Sequence, residues 1–341
     1  MSSIIRIAIV GYGHWGPNYG RVCTELPDVE LVGICDPLAN RHQAAKLRHP
    51  RVAVVSSVEE LIQSAKPDAV IVASPAATHR QVATAVIQAG CDVLVEKPLA
   101  LNLKDCEAIN ELADKHRRIL MTGHTFLFNS AIQWLKEHLQ RGMEGQLHYL
   151  YSARTNLGPI RSDADSVWDL APHDIAVFEY LLGMRPQWIS AAGATRLNRE
   201  HADVAFLTFG YGNGVIGNIH VSWLDPKKVR ELVLVGSHQR IVFNDLDALE
   251  PIRIFHKGVA VDEEDPDDFG SFRLRIRDGD IVSPKIVVSE PLKVQCQHFV
   301  NCVRLRQQPL SDGAFGCRVV QILEAARTSL SQNGTPVKIG V

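Results

Sequence analysis

The sequence predicts an α/β protein in which an N-terminal doubly wound parallel sheet is followed by a C-terminal α/β domain with a large, mostly antiparallel open sheet. Apolar runs of strand length alternate with helical patterns in the first third of the chain, which is typical of parallel sheets. Hairpin turns dominate later and indicate antiparallel pairing. The chain has 341 residues, more than one hydrophobic core usually serves. We therefore expect two domains, 1–123 and 124–341, with the last helices as candidates to pack back on the first domain.

A glycine-rich turn follows the first predicted strand. Ile4–Val10 is a short apolar run, and Gly11-Tyr12-Gly13-His14-Trp15-Gly16 directly after it matches the pattern G-x-G-x-x-G. In that pattern Gly11 permits a tight turn, Gly13 lets a pyrophosphate approach the backbone, and Gly16 lets the next helix pack closely. The free N–H groups at the start of that helix favour phosphate groups. Strand, turn and helix together predict a Rossmann domain that binds a dinucleotide.

Five further strands complete the predicted parallel sheet, with helical patterns between them. We expect them at Glu30–Cys35, Val52–Val55, Asp68–Ala73, Val93–Val95 and Arg118–Thr122.

The end of the second strand indicates which dinucleotide is bound. Asp36 lies 20 residues after Gly16, where a carboxylate accepts hydrogen bonds from the ribose hydroxyls of NAD and repels a 2′-phosphate. Arg41 follows a turn later and is the one nearby residue that favours NADP. Because the carboxylate opposes the phosphate directly, we predict NAD, with NADP as the less favoured cofactor.

Glu96-Lys97-Pro98 ends the fifth predicted strand. Ligands of open α/β sheets bind at the carboxyl ends of the strands, so Lys97 lies where a ligand would lie. Pro98 cannot continue the ladder and turns the chain away. On this stretch alone, a surface lysine at a strand end is about equally expected.

Strand patterns dominate the second domain after a helix marked by Ile132, Leu135 and Leu139. Gly212-Asn213-Gly214 lies between two of these strands and is a strong hairpin turn. The strands are predicted at Leu147–Asn156, Arg185–Arg196, Val204–Phe209, Val215–Trp223, Glu231–Val235 and Arg240–Phe243. The acidic run Val261–Asp268 is expected to be a solvated loop, and two helices close the chain.

Composition argues against several classes of function. Lys and Arg total 36 and Asp and Glu total 38, so no excess charge attracts nucleic acid or an anionic membrane. No apolar run is long enough to span a bilayer, and the N-terminus does not read as a signal peptide. The seven cysteines show no close metal-type pairs and read as reduced core residues. We therefore expect a cytoplasmic protein with no bound metal, no nucleic acid partner and no membrane contact.

The combined motifs resemble those of the Gfo/Idh/MocA oxidoreductases. The matching stretches are the glycine turn, Ser74-Pro75-Ala76-Ala77-Thr78-His79, Glu96-Lys97-Pro98, Gly123-His124-Thr125 and Trp168-Asp169-Leu170-Ala171-Pro172-His173-Asp174-Ile175. They span nearly the whole chain. The resemblance implies that Lys97, Asp169 and His173 form the catalytic set. It also implies an open sheet that joins subunits of a homodimer or homotetramer.

One stretch of the second domain resembles a narrower branch of this family. Arg154–Asp163, followed by Val167–Ile175, is similar to enzymes described as UDP-N-acetylglucosamine 3-dehydrogenases. The resemblance implies oxidation of a sugar hydroxyl, at C3 of a nucleotide sugar, to a keto sugar.

Such an oxidation needs a base, because the hydroxyl proton must leave as hydride departs. Lys97 is one candidate, provided that burial and the nicotinamide charge lower its usual pKa of about 10.4. His173 is the other, since its usual pKa of about 6.5 already suits the task. Asp169 lies four residues before His173, on the same face if both are helical, although Pro172 suggests that the helix begins only near there. We favour His173 as proton acceptor, with Lys97 on the reacting oxygen and Asp169 orienting the cation; the reverse assignment of Lys97 and His173 stays open.

Further residues are weaker candidates for the two binding sites, because each is also explained by packing or by an ordinary surface position. For the cofactor these are His14, Trp15, Ser74, Pro75, His79 and Glu96. For the substrate they are His124, Asn129, Arg154, Asn156, Arg161, Trp168 and His173.

Three other functions remain compatible with the sequence. A ketoreductase could run the opposite reaction with NAD(P)H on a nucleotide-linked keto sugar. An inositol or free-sugar dehydrogenase would keep the chemistry and change the substrate. A regulator that only senses a dinucleotide would need the Rossmann domain but not the set Lys97, Asp169 and His173.

Overall fold

The computed structural model describes residues 4–142, 145–158, 160, 165–197, 202–261 and 274–340. The chain divides into two compact units. The N-terminal unit comprises Met1–Phe128 and Ser289–Glu324, and the C-terminal unit comprises Asn129–Val288 and Ala325–Val341. The expected boundary at residue 123 stays a prediction.

The described residues form nine α-helices and seventeen strands. The helices are α1 Gly16–Glu25, α2 Ala39–Arg48, α3 Val58–Ala65, α4 His79–Gln88, α5 Leu103–His116, α6 Ser130–Gln140, α7 Ser166–Leu182, α8 Pro291–Leu305 and α9 Gly313–Ser331. The first ten strands are β1 Ile5–Val10, β2 Val29–Cys35, β3 Ala53–Val55, β4 Ala69–Val72, β5 Asp92–Glu96, β6 Leu120–Gly123, β7 Leu147–Leu157, β8 Pro186–Ala194, β9 Val204–Tyr211 and β10 Ile216–Ser222. The others are β11 Leu224–Gly236, β12 Arg240–Asn244, β13 Ile252–Phe255, β14 Gly258–Val261, β15 Leu274–Arg277, β16 Ile281–Val282 and β17 Val337–Lys338.

The N-terminal unit is built on a parallel sheet with the strand order β3-β2-β1-β4-β5-β6. This order reverses direction between β1 and β4, and the crevice at such a reversal is where doubly wound sheets bind dinucleotides. Every residue of β4 and β5 is buried, because helices cover both faces of a parallel sheet. The predicted Rossmann fold is therefore confirmed.

The C-terminal unit is built on a nine-stranded sheet with the order β16-β13-β12-β11-β7-β10-β9-β8-β17. The predicted hairpin at Gly212-Asn213-Gly214 joins β9 to β10, and β11 pairs with β12 in a second antiparallel hairpin. The pairing of β7 with β10 is parallel, while the other neighbouring pairs of this sheet are antiparallel. The predicted mostly antiparallel open sheet is confirmed.

Strand β11 is longer than predicted. The sequence indicated Glu231–Val235, but the strand begins at Leu224. Its register against β7 shifts between Leu224 and Val229, so Asp225–Lys228 bulge out of the ladder. A bulge admits a proline and charged residues that an unbroken central strand would disfavour.

Helix α7 shows that the expected start near Pro172 is wrong. The helix begins at Ser166, where the Asp165 carboxylate accepts a hydrogen bond of 2.7 Å from the backbone N–H of Trp168. Pro172 lies inside the helix, at a place where it has no N–H to donate to the carbonyl oxygen of Trp168. Asp169 and His173 are therefore both helical.

Within the part of the chain that the structure describes, no helix is long and apolar enough to cross a membrane. Residues 262–268 of the predicted acidic loop lie outside the described residues.

Candidate active site

The glycine turn between β1 and α1 has the geometry that a dinucleotide needs. Gly11 has a φ of +92°, and a side chain there would place Cβ only 2.5 Å from the backbone nitrogen of Ser74. A Cβ on Gly16 would lie 2.3 Å from the carbonyl oxygen of Gly11. Only glycine satisfies both positions, so the turn keeps the start of α1 against β1.

The N-terminus of α1 fits a phosphate group. No side chain of the described residues caps it, and its first turn carries no acidic residue. Pro17 has no N–H and the N–H of Asn18 donates to the carbonyl oxygen of Trp15, so the helix dipole and the N–H groups that precede Pro17 remain available for an anion. Trp15 is the N-cap residue and is 37% exposed, with the His14 ring edge-on to it at 5.7 Å. Both predicted cofactor residues thus lie at the surface beside this turn.

Asp36 is buried at the end of β2 and is held by three donors. The backbone N–H of Tyr12 donates to it over 2.7 Å, and that of Leu38 over 3.0 Å. Arg41 forms an ion pair with the same carboxylate at 3.1 Å, and its guanidinium lies 3.1 Å from the position of a Cβ on Gly13. The glycine turn, the carboxylate and the arginine therefore form one cluster in which Asp36 neutralises the charge of Arg41.

His79 links two loops at the carboxyl edge of the parallel sheet. Its ring is buried, and its nitrogens lie 2.9 Å from the carbonyl oxygens of Ser74 and Pro98. Burial lowers the pKa of His79, although the hydrogen bonds to the Pro98 and Ser74 carbonyl oxygens act against this. The Ser74 and Thr78 hydroxyls are 2.7 Å apart, and Pro75 between them is exposed. His79 therefore holds in place the loop that carries Lys97; direct contact with a cofactor stays a prediction.

Glu96 and Lys97 stand at the end of β5 with a buried hydrogen-bond chain behind them. The Tyr19 hydroxyl donates to Glu96 over 2.6 Å, and the Gln295 amide donates to the Tyr19 oxygen over 3.0 Å. Burial raises the pKa of the Glu96 carboxyl, although the Tyr19 hydrogen bond and the Lys97 charge act against this. Lys97 itself is half-buried. The cation thus lies beside a carboxyl that the fold fixes through two other residues.

His124 follows β6 and is almost completely buried. Neither ring nitrogen has a hydrogen-bond partner among the described residues. Burial, with a further contribution from the nearby Lys97 charge, lowers the pKa of His124 to about 3. The ring is therefore neutral at physiological pH and keeps one donor and one acceptor.

In the C-terminal unit, α7 presents Asp169 and His173 from one face. Every other residue between Ser166 and Glu179 is buried, whereas these two are partly exposed. Four residues make just over one helical turn, which places both side chains side by side. The Trp223 indole N–H donates to the Asp169 carboxylate over 3.3 Å. The expected pairing of Asp169 with His173 on one helical face is what the structure shows.

Trp168 on the same helix is buried, and its side chain mainly packs against neighbouring residues. It is 4% exposed, and the Arg327 guanidinium lies over its ring at 4.3 Å. Its indole nitrogen is buried and meets no hydrogen-bond partner among the described residues. The predicted contact with substrate is untested for this side chain.

Arg154 and Asp174 form a buried ion pair that joins β7 to α7. Nε of Arg154 donates to Asp174 over 2.6 Å, and the two side chains are 7% and 8% exposed. Next to them, Asn156 accepts a hydrogen bond of 2.6 Å from Arg230, and Asn129 donates over 3.0 Å to Asp245. The predicted substrate residues Asn129, Arg154 and Asn156 therefore belong to polar clusters, while Arg161 lies outside the described residues.

Four residues of these clusters were not predicted from the sequence. Tyr19 and Trp223 had the appearance of core aromatics, and only the structure shows that the hydroxyl and the indole N–H point at carboxylates. Arg230 lies inside β11, one residue before the predicted start of that strand, and Asp245 directly follows β12. An arginine beside a predicted strand was the available signal for Arg230.

Comparison with known proteins gives the following matches. Residues 5–124 match a family model described as "Oxidoreductase family, NAD-binding Rossmann fold", and residues 132–242 match the "GFO/IDH/MocA C-terminal domain". The chain is 27% identical to the UDP-N-acetylglucosamine 3-dehydrogenase of Acidithiobacillus ferrooxidans, over 93% of this chain and 94% of that protein. It is 26% identical to the myo-inositol 2-dehydrogenase of Thermotoga maritima, over 96% and 97%.

A solved structure shares the fold. The WlbA dehydrogenase from Bordetella pertussis, determined in complex with NADH and UDP-GlcNAcA, matches with a TM-score of 0.80 at 21% identity and covers 99% of each chain.

Proposed function

The chain belongs to the Gfo/Idh/MocA family of oxidoreductases, and from this premise we propose that it oxidises a sugar hydroxyl, at C3 of a nucleotide sugar such as UDP-N-acetylglucosamine. The family makes it an NAD(P)-dependent oxidoreductase acting on CH–OH groups. The observation that carries the proposal is the face of α7 on which Asp169 and His173 are the partly exposed residues of a buried helical stretch. A base with an acid beside it is what removal of a hydroxyl proton requires.

The choice of a nucleotide sugar rests on two supports. Of the two relatives named above, one is a dehydrogenase of UDP-N-acetylglucosamine and the other a dehydrogenase of myo-inositol. Membership of the family is therefore compatible with either class of substrate. The resemblance of Arg154–Asp163 and Val167–Ile175 to UDP-N-acetylglucosamine 3-dehydrogenases favours the sugar nucleotide. Next to the Arg154–Asp174 pair, the half-buried guanidinium of Arg230 also provides donors that suit an anionic substrate better than a neutral polyol.

We propose NAD as the physiological cofactor. Asp36 is buried against the glycine turn, and its one cationic neighbour, Arg41, is already paired with it. A 2′-phosphate near this carboxylate would be repelled and would have to compete for Arg41. The ribose hydroxyls of NAD can instead donate to the carboxylate.

The residues divide the reaction as follows. NAD, when held by the glycine turn and Asp36, would supply the acceptor for the hydride. His173 takes the hydroxyl proton, so that the carbon–oxygen bond becomes a carbonyl without a protonated intermediate. Lys97 donates a hydrogen bond to the reacting oxygen and stabilises its negative charge. Asp169 favours the imidazolium that forms, and the Trp223 N–H keeps this carboxylate in place. Exchange of the roles of Lys97 and His173 is the alternative.

We propose that the protein is a cytoplasmic homodimer or homotetramer. All seven cysteines are free of disulfides and six are buried, which suits a reducing compartment. The outward face of the nine-stranded sheet carries Phe206, Tyr149 and Ile216, which are 50%, 45% and 40% exposed. Exposed aromatic residues on a flat sheet favour association with a second copy.

The test is NADH formation by the purified protein with NAD and a panel of sugars. The panel contains UDP-N-acetylglucosamine, its uronic acid, dTDP-glucose, glucose and myo-inositol, with a carbonyl trap present because oxidation by NAD is often uphill. NADH with a UDP-sugar alone is the expected result. NADH with inositol or glucose instead would overturn the nucleotide-sugar assignment.

If the protein binds NAD but forms no NADH with any sugar of the panel, a ketoreductase or a dinucleotide-sensing regulator would be favoured. Reduction of a keto sugar by NADH or NADPH would then separate these two alternatives.

A further inference from the structure

Arg230 is half-buried. Among the described residues, no carboxylate forms an ion pair with its guanidinium. Its three hydrogen bonds go to uncharged acceptors, which are the carbonyl oxygens of Thr155 at 2.9 Å and Val229 at 2.8 Å and the Asn156 side chain at 2.6 Å. Burial and the neighbouring Arg154 charge lower the pKa of its guanidinium. Partial burial takes water away from the guanidinium, so a carboxylate or phosphate partner would stabilise its charge.

The position of Arg230 makes its charge more costly. It stands directly opposite Arg154 on the paired strands β11 and β7, so two arginines face each other across the ladder. Like charges directly opposite each other on paired strands destabilise a sheet. Asp174 neutralises Arg154 through two hydrogen bonds, of 2.6 and 3.2 Å. Arg154 is therefore hydrogen-bonded to a carboxylate, whereas Arg230 is hydrogen-bonded only to uncharged acceptors among the described residues.

Two donors of Arg230 remain. A guanidinium has five N–H groups, and the three hydrogen bonds above use both on Nη1 and one on Nη2. The Nε–H and one Nη2–H thus meet no acceptor among the described residues. Two donors at one end of a guanidinium are the arrangement that grips two oxygens of a carboxylate or phosphate.

The surroundings place this cation at the proposed substrate site. Arg230 interacts electrostatically with Asp169, the proposed partner of His173, and it is hydrogen-bonded to Asn156. The bulge of β11 just before it, Asp225–Lys228, lies where the ladder opens. Bulges often re-aim a side chain beside an active site. Asp245 directly follows β12 and accepts a hydrogen bond from Asn129, and burial raises the pKa of its carboxyl.

We propose that Arg230 binds an anionic group of the substrate and determines specificity for charged sugars over neutral polyols. The proposal rests on the proposed function. The anion is either the diphosphate of a nucleotide sugar or a carboxylate on the sugar ring, since both present paired oxygens to the free donors. Asn156 orients the guanidinium of Arg230 through their hydrogen bond. Arg154 does not bind the anion, because its guanidinium is paired with Asp174.

The test measures binding, so that it does not depend on turnover. UDP, UDP-N-acetylglucosamine and UDP-N-acetylglucosamine uronic acid are titrated calorimetrically into the NADH-bound wild type, Arg230→Gln and Arg230→Lys. We expect Arg230→Gln to weaken the binding of at least one ligand by about 10-fold or more, because the variant loses charge-assisted hydrogen bonds to the anion. Arg230→Lys should recover part of the affinity. Arg253→Gln removes the same charge from an exposed, ion-paired residue on β13 and should change nothing.

Each outcome decides a different question. Weaker binding of all three ligands assigns the diphosphate, and weaker binding of the uronic acid alone assigns the carboxylate. Equal binding by wild type and Arg230→Gln overturns the role of Arg230 and leaves the proposed function standing. Wild-type protein that binds NADH but none of the three ligands overturns both. An unchanged melting temperature and NADH affinity of Arg230→Gln show that the variant is folded.

Discussion

His124 is a buried imidazole in the N-terminal unit with no hydrogen-bond partner among the described residues. Its pKa is about 3 in the folded protein, against an ordinary value of 6.5. The unfolded chain therefore binds a proton more readily than the folded one whenever the pH is below about 6.5. The stability that His124 contributes is present above that pH and is lost as the pH falls from there toward 3.

We predict that this single residue makes the fold sensitive to mild acid. Between about pH 7 and about pH 5.5, wild type should lose roughly 1 kcal/mol more of its unfolding free energy than His124→Asn, whose side chain does not titrate. Urea unfolding of both proteins at the two pH values measures the difference. Parallel losses in both proteins would show that His124 is protonated in the folded state.

Lys97 is the residue on which the proposed chemistry depends most. Replacement by Met keeps an unbranched side chain only one atom shorter and removes the hydrogen bonds and charge of the ammonium group. We expect turnover to fall by about 100-fold or more while NAD affinity stays close to wild type. The control is Lys104→Met on the exposed side of α5, which should remain fully active. Normal turnover by Lys97→Met would refute the catalytic assignment.

At the scale of single elements, α7 is held to the nine-stranded sheet by a buried charge pair. Arg154 on β7 and Asp174 on α7 are both less than a tenth exposed. Removing one partner of such a pair leaves the other charge buried and uncompensated, which costs more than the intact pair contributes.

Asp174→Asn should accordingly destabilise the protein by about 3 kcal/mol. Glu250→Gln removes a carboxylate from the exposed pair with Arg253 and should change the unfolding free energy by less than about 1 kcal/mol. Denaturant titrations of the two variants test this. Equal effects would show that Asp174 is not a structural anchor of α7.

Local patterns were sufficient to predict most elements but not all of their limits. The apolar runs of β1 and β5 and the glycine turn predicted the parallel sheet, because each of these signals lies within a few residues. The start of α7 was missed, since Pro172 suggests a boundary that tertiary packing overrides. The N-terminal half of β11 was missed because Pro226 and two lysines occupy a bulge.

Only those residues of the candidate active site that belong to recognisable sequence motifs could be predicted. The sequence motifs around Lys97, Asp169 and His173 are characteristic of the family. The roles of Tyr19, Trp223 and Arg230 depend instead on contacts with residues that are distant in the sequence. The parallel pairing of β7 with β10 has the same origin, because strand order in an open sheet depends on long-range contacts. No local pattern encodes these relationships.

At the scale of the whole molecule, the outward face of the nine-stranded sheet is proposed to join subunits. Phe206 stacks on His220 at 4.4 Å and remains 50% exposed. Phe206→Asp should therefore convert the oligomer to a monomer, because a buried carboxylate without a partner opposes association. Light scattering after size exclusion measures the mass. Leu47→Asp, at an exposed leucine of α2, introduces the same charge and should leave the mass unchanged.

A wild-type protein that is itself monomeric would contradict the proposed assembly. An oligomer that survives in Phe206→Asp would move the interface to another surface.

The central claim is that hydride passes from C3 of a nucleotide sugar to NAD. The most direct measurement uses UDP-N-acetylglucosamine that carries deuterium at C3, mixed with enzyme and NAD in a single turnover. We expect the reduced nicotinamide to gain the deuterium, seen by mass spectrometry, and the reaction to be slower than with unlabelled sugar. Reduced nicotinamide without deuterium, or a sugar that keeps its label while another substrate of the panel is oxidised, would contradict the claim.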